Sequence, residues 1–392
     1  MKVSMASSFG PIKAEGTALK GAPLLSEDGP YVVLGWQEQE LVMPNTPSAS
    51  VLFGPRGAAR AKDGSLWVAD TGHHRLLGWL TGPTVDNQDA DILIGQPSYS
   101  REGRNAKGEP SKSTLNVPTG VSRWRDGIAV ADAWNHRVLL WHEVPKIQNQ
   151  PADIVLGQKD GCSIEANHGR DAPRATSLHW PYGVVEVDGK LAVCDAGNRR
   201  VLIWNSPEET GQPADLVLGQ NNMETRDENC GQEIGRMGMR WPHAAVNWQG
   251  GFAVADAGNN RVMLWDEWPT QNGQPCSHVL GQKNFTDCDH NLASYYPTSA
   301  ALNMPYAVAV SENKLLVADT ANSRLVGWRE TTTGADADWL TGQPDFASKG
   351  DNRWGIIERD SLCWPYGITS SDDELIIADS GNNRVLLWRM AK

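Results

Sequence analysis

The chain has 392 residues, with 47 Asp and Glu against 35 Lys and Arg, a formal charge of −12, and 40% apolar against 21% charged residues. That balance describes a folded protein and not a disordered one, and its acid excess argues against sequence-independent nucleic-acid binding, which needs a basic footprint. No run approaches the roughly 18 apolar residues of a membrane-spanning helix, and six cysteines are too sparse for a disulfide scaffold.

Residues 1–30 read as an N-terminal tail. They hold no apolar block of the roughly 7–15 residues that a secretory leader carries, so the expectation is a cytoplasmic protein with mostly reduced thiols and no membrane attachment. A short apolar run, VVLGW at 32–36, follows.

From Pro55 onward the chain repeats itself six times, and the repeat decides the fold. Each unit opens on a proline (Pro55, Pro118, Pro181, Pro242, Pro305, Pro365) with Gly or Ala two residues later. A twelve-residue phrase comes next: VADTGHHRLLGW at 68–79, VADAWNHRVLLW at 130–141, VCDAGNRRVLIW at 193–204, VADAGNNRVMLW at 254–265, VADTANSRLVGW at 317–328 and IADSGNNRVLLW at 377–388. Its aspartates, Asp70, Asp132, Asp195, Asp256, Asp319 and Asp379, are spaced by 62, 63, 61, 63 and 60 residues. A short run ending in Gly-Gln closes five units: ILIGQ at 92–96, IVLGQ at 154–158, LVLGQ at 216–220, HVLGQ at 278–282 and WLTGQ at 339–343.

Each unit reads as four short strands. In the third these are GVVEV at 183–187, KLAVCD after an Asp188–Gly189 turn, RVLIW and LVLGQ. Such β-branched and apolar runs bounded by turn formers are strand signals, and no amphipathic helix competes with them. Four-stranded sheets repeated radially make a β-propeller. After Trp388 only four residues remain, so the sixth unit lacks a fourth strand, and VVLGW at 32–36 is the run that can supply it. The predicted fold is all-β: one closed six-bladed propeller over 31–392, preceded by the tail.

The repeated phrases resemble the NHL repeat, most closely through Asp132, Asn135, His136 and Arg137, and nearly as well through Asp379, Asn382 and Arg384. The Leu-Gly-Gln phrase is similar to a bacterial branch of that family. Two departures stand out: His73 replaces Asn in the first unit, and the period near 62 implies long inserted loops. The resemblance implies a scaffold or accessory protein that holds a protein or peptide partner. It extends to a partner that is a bacterial redox enzyme, with the loop cysteines Cys162, Cys230, Cys288 and Cys363 as sequence support. The alternative is an enzyme or small-ligand binder at the axial channel mouth, by analogy with six-bladed lyases and lactonases.

Six equivalent Asp–Arg pairs are read as blade-turn fixers and not as a phosphate-binding ring, because function usually breaks symmetry. The Asn between them is read as the left-handed residue of the turn. The terminal tryptophans Trp79, Trp141, Trp204, Trp265, Trp328 and Trp388 are read as inter-blade packing. Binding is expected on the face carrying the long loops 97–117, 159–180, 221–241, 283–304 and 344–364. Counted to the residue three before each proline, these loops hold 13 basic and 15 acidic residues, which gives no support to the RNA binding of some animal NHL domains.

Two rings of residues surround the channel mouth. Arg56, Thr119, Tyr182, His243, Tyr306 and Tyr366 follow the prolines, and Gly54, Val117, Trp180, Trp241, Met304 and Trp364 precede them. Arg56, Tyr182, His243, Tyr306, Tyr366, Trp180, Trp241 and Trp364 are the candidate binding residues. No catalytic residue, metal or cofactor is assigned. The pairs Cys276/His278 and Cys288/His290 flank a strand and should emerge at opposite ends, and the spacing of His179, His243 and Cys363 is not diagnostic of a metal site.

Overall fold

A computed structural model describes residues 19–35 and 46–391. Among them the strands form six sheets, one per repeat unit. In the third blade Pro181–Val187, Lys190–Asp195, Arg200–Trp204 and Leu216–Leu218 run antiparallel in sequence order. Val185 faces Ala192, Val193 faces Leu202, and Leu202 faces Val217. The first two strands join through Asp188 and Gly189, both at positive φ, the pairing a two-residue hairpin turn demands.

Ring closure follows the sequence reading. Val32–Leu34 pairs antiparallel with Arg384–Arg389, with Val33 opposite Leu386, and so completes the sixth blade. Trp36, the last residue of the expected strand, lies outside the described residues. The described residues before residue 30 also dock. Ala22–Pro23 adds a parallel fifth strand to blade five, opposite Trp339 and Leu340, and Leu24 and Leu25 are buried there. The first blade's outer loop then bonds to the borrowed strand, through Asn87 N–H to the Val33 carbonyl at 3.0 Å.

The core is a ring of six apolar clusters, each made by two neighbouring blades. The cluster between blades two and three, for example, combines Val138, Leu140 and Leu156 with Val184, Leu191, Leu202 and Trp204. Trp79, Trp141, Trp204, Trp265, Trp328 and Trp388 each occupy one such cluster and are buried, which bears out their packing role. Each indole N–H also donates to a loop carbonyl, such as Trp204 to Gln212 at 2.9 Å and Trp388 to Ser26 at 2.7 Å.

The first strands surround an axial cavity of about 610 Å³. They approach so closely that a Cβ on Gly57 would lie 2.1 Å from the Thr119 carbonyl oxygen, and one on Gly183 2.4 Å from that of His243. Small residues two after each proline therefore let neighbouring blades touch backbone to backbone at the axis. In blades two to six the pairing is irregular just after the proline, as between Pro181 and Val184. Such a bulge re-aims the side chain at the channel mouth.

Candidate functional site

The loop-bearing face is built on the repeated Asp-Asn-Arg network. In the second blade, Asp132 Oδ2 accepts from Arg137 Nε at 2.8 Å and Asn135 Nδ2 at 2.7 Å, while Oδ1 accepts the Asn116 N–H at 2.7 Å. The outer nitrogens of Arg137 donate to carbonyls of Ser111 and Thr114 in the loop before the blade and Gly161 in the loop after it. Arg75, Arg200 and Arg324 bridge their flanking loops in the same way. These guanidiniums are fully buried. The arginines are internal staples that fix the long loops, as the sixfold equivalence implied.

One expectation is corrected. The left-handed residue of each turn is the one after the Asn: His74, His136, Arg199, Asn260, Ser323 and Asn383, with φ between 51° and 56°. The Asn itself sits in a short 3-10 turn, where its amide must reach the aspartate. The left-handed residue faces the next blade and caps its mouth residue. Trp180 N–H donates to His136 Nδ1 at 3.1 Å, Val117 N–H to His74 Nδ1 at 3.0 Å, Met304 N–H to Asn260 at 2.8 Å and Gly54 N–H to Asn383 at 2.8 Å. An accepting Nδ1 requires a neutral imidazole, and burial, with His179 adding to it, holds the His136 pKa down to about 4. Arg199 has no acceptor to offer, and Trp241 N–H turns instead to Asp256 Oδ1 at 3.3 Å.

A further repeated residue escaped the sequence reading. Asn105, Asn167, Asn229, Asn291 and Asn352, all at positive φ in the long loops, bond amide to amide with Asn135, Asn198, Asn259, Asn322 and Asn382. Their spacing of 62, 62, 62 and 61 residues was a usable signal, obscured because the neighbouring loop residues differ in every copy. The Gln of the Leu-Gly-Gln phrase adds another tie, Gln158 donating to the Asn135, His136 and Glu165 carbonyls.

At the axis the structure brings five of the candidate residues into one ring. Arg56 Nη1 donates to the Tyr182 hydroxyl at 2.6 Å. Tyr182 tilts against His243 with centroids 4.4 Å apart, His243 stacks on Tyr306 at 4.3 Å, and Tyr306 meets Tyr366 at 4.7 Å. The Arg56 guanidinium lies 4.7 Å over the Tyr366 ring and closes the circle. Thr119 is buried, its hydroxyl donating to the Tyr182 carbonyl at 2.9 Å. His243 and Tyr306 are 9% and 8% exposed, whereas Arg56, Tyr182 and Tyr366 are half-buried, so one side of the ring is open and the other sealed. His243 Nδ1–H donates to the Trp241 carbonyl at 2.9 Å; burial above all, and Arg56 as well, push its pKa down to about 4. Burial raises the phenols of Tyr306 and Tyr366.

The three candidate tryptophans take different places. Trp364 stacks toward Tyr366 at 6.3 Å and extends the ring, whereas Trp180 and Trp241 stand exposed on the loop face. His179 contacts Trp180 and His136 at 4.9 and 5.2 Å, away from the His243 stack. Among the described residues no three His, Cys, Asp or Glu side chains group as metal ligands. The six cysteines are free thiols. Burial raises the Cys230, Cys288 and Cys363 pKa values, the opposite of the activation a redox thiol needs.

Fold and site together define a closed six-bladed β-propeller whose blades are tied by a repeated Asp-Asn-Arg turn network. The family model of the NHL repeat matches residues 54–79, so the chain carries an NHL repeat in its first blade. No curated protein matches it in sequence. Among solved structures, a protein of unknown function from Bacteroides thetaiotaomicron is similar at 12% identity and a TM-score of 0.51, over 95% of this chain and 77% of that one. That likeness shows the fold alone. Virginiamycin B lyase from Staphylococcus aureus has 11% identity and a TM-score of 0.45, over 86% of this chain and 96% of its own. Hydrazine synthase from Kuenenia stuttgartiensis has 12% identity and the same score of 0.45, over 91% and 99%. Scores at that level carry no functional argument. No helix among the described residues is long and apolar enough to cross a membrane.

Proposed function

We propose that this propeller is a binding platform that holds a partner protein or peptide on its loop-bearing face. The observation that carries the reading is the placement of exposed apolar side chains. Trp134, Trp180, Trp241, Tyr295, Trp354 and Ile356 are all exposed and all belong to the long loops or the turns of that face. Aromatic residues with cations beside them are the usual anchors of an interface. Here Arg104 lies over Trp134 at 4.8 Å, Arg240 over Trp241 at 5.5 Å and Lys349 over Tyr295 at 3.7 Å. Buried arginine staples hold the loops that present them, so a partner meets an ordered surface and little ordering entropy is lost on docking.

The test compares partner capture by the wild-type chain, by W180A/W241A, and by V85S/I147S on the opposite face. Loss of a stoichiometric partner in the first variant and its retention in the second is the expected outcome. Equal capture by both, or no stoichiometric partner for the wild type, would contradict the reading.

A further inference from the structure

The axial ring contains an unbalanced charge. The arginines of the turn network each face a buried aspartate, as Arg75 faces Asp70 at 2.7 Å. Arg56 does not. Among the described residues the only hydrogen-bond acceptor of its guanidinium is the neutral Tyr182 hydroxyl, and the guanidinium also lies over the faces of Tyr182 and Tyr366. A guanidinium carries five N–H donors, so most of its donor capacity is uncommitted. Half-burying such a cation without a counter-ion carries a desolvation cost that aromatic faces only partly offset.

Its neighbours add donors and no negative charge. The Tyr182 hydroxyl, having accepted from Arg56, keeps its own proton to give. Tyr366 packs against Tyr306 with ring centroids 4.7 Å apart, and burial, which raises its phenol, keeps its proton in place. His243 is neutral, with its Nδ1–H committed to the Trp241 carbonyl. These groups stand at one end of a cavity of about 610 Å³, the size range of small-ligand sites, whose wall combines Ala58, Ala245 and Val308 with the charged Arg60, Arg123 and Glu186.

We propose that the channel mouth is a carboxylate-binding site, in which Arg56, Tyr182 and Tyr366 hold the anionic head and the channel beyond them receives a short body. A negative head group matches the mouth, where Arg56 is the cation hydrogen-bonded to Tyr182 and packed against the Tyr182 and Tyr366 rings. The planar fork of a guanidinium pairs with a carboxylate through two parallel bonds. The carboxylate belongs either to a free organic acid or to the C-terminus of a peptide. The site stands independently of whether a protein docks on the surrounding loops.

The test is titration of the purified full chain with propionate and with its neutral isostere propionamide, read by the near-ultraviolet circular dichroism of the aromatic ring. Tetra-alanine with a free C-terminus and tetra-alanine amide form a second pair. The expected result is a saturable change with at least one carboxylate and none with its amide. Binding should weaken at least about tenfold in R56Q, the loss of a charge-assisted contact, and by a smaller factor in Y182F. Propionate binding assigns a free acid; binding of tetra-alanine alone assigns a chain terminus. Equal responses to acid and amide, no saturable response to either carboxylate, or unchanged affinity in folded R56Q would overturn the proposal. Should R56Q not fold, unchanged affinity in Y182F would do so.

Discussion

Each buried aspartate serves several partners at once, which makes it the costliest side chain to remove. Asp195 accepts from Arg200, Asn198 and the His179 N–H, all between 2.7 and 2.8 Å. Replacing Asp195 by Ala would strand a fully buried guanidinium and two further donors. A loss of roughly 3–5 kcal/mol is expected, measurable by urea unfolding, because an uncompensated buried charge remains. A loss below about 1 kcal/mol, the scale of surface pairs, would show that the network is not structural. The histidine caps make stability depend on pH with a definite sign. His136 is held neutral with a pKa near 4, below the usual value of 6.5. Between those values the unfolded chain binds the proton and the folded one does not, so stability falls as pH drops from about 6.5 toward 4. H136N keeps an acceptor of the kind Asn260 and Asn383 provide, and should reduce that loss without lowering stability at pH 7. An unchanged slope between pH 7 and pH 5 would contradict the assignment. At the one uncapped position, R199N should supply the missing acceptor to Trp241 and raise stability by up to about 1 kcal/mol; a destabilised variant would count against the capping rule.

At the scale of the strand, closure depends on a segment far from its partner in sequence. Val33 is buried between blades five and six, pairing with Leu386, and Val32 and Leu34 face the first blade's cluster. V33D would place a carboxylate in that apolar seam and at the same time loosen the borrowed strand. A drop of roughly 3 kcal/mol or more is expected in thermal or urea unfolding. A fully stable V33D protein would mean that the ring closes without this strand. The element scale also shows what the sequence made legible. The borrowed strand could be inferred because unit six visibly lacked its closing phrase. The parallel strand at Ala22–Pro23 could not, since two residues without periodicity carry no strand signal and its partner lies more than 300 residues away.

For the whole molecule, repetition made the architecture readable: six copies in one register left few alternatives to a closed ring. The site was readable only as an inventory. Tyr182, His243, Tyr306, Tyr366 and Arg56 could be named as mouth residues because each follows a repeat proline. That they touch in a closed circle, with Arg56 hydrogen-bonded to Tyr182 and Tyr366 beneath its guanidinium, depends on blade tilt and bulge geometry, which side-chain identity does not encode. The turn residue was misplaced by one position for a related reason. Asn tolerates left-handed backbone well, but in this turn its amide is committed to the aspartate, and the next residue takes the strained conformation.

The proposed function places partner docking on the loop-bearing face. Site-specific photo-crosslinking tests it most directly, with the crosslinker placed at position 241 on that face in one protein and at position 147 on the opposite face in another. A single stoichiometric adduct from position 241 and none from position 147 is the predicted result. An adduct from position 147 alone, or identical patterns from both, would contradict it.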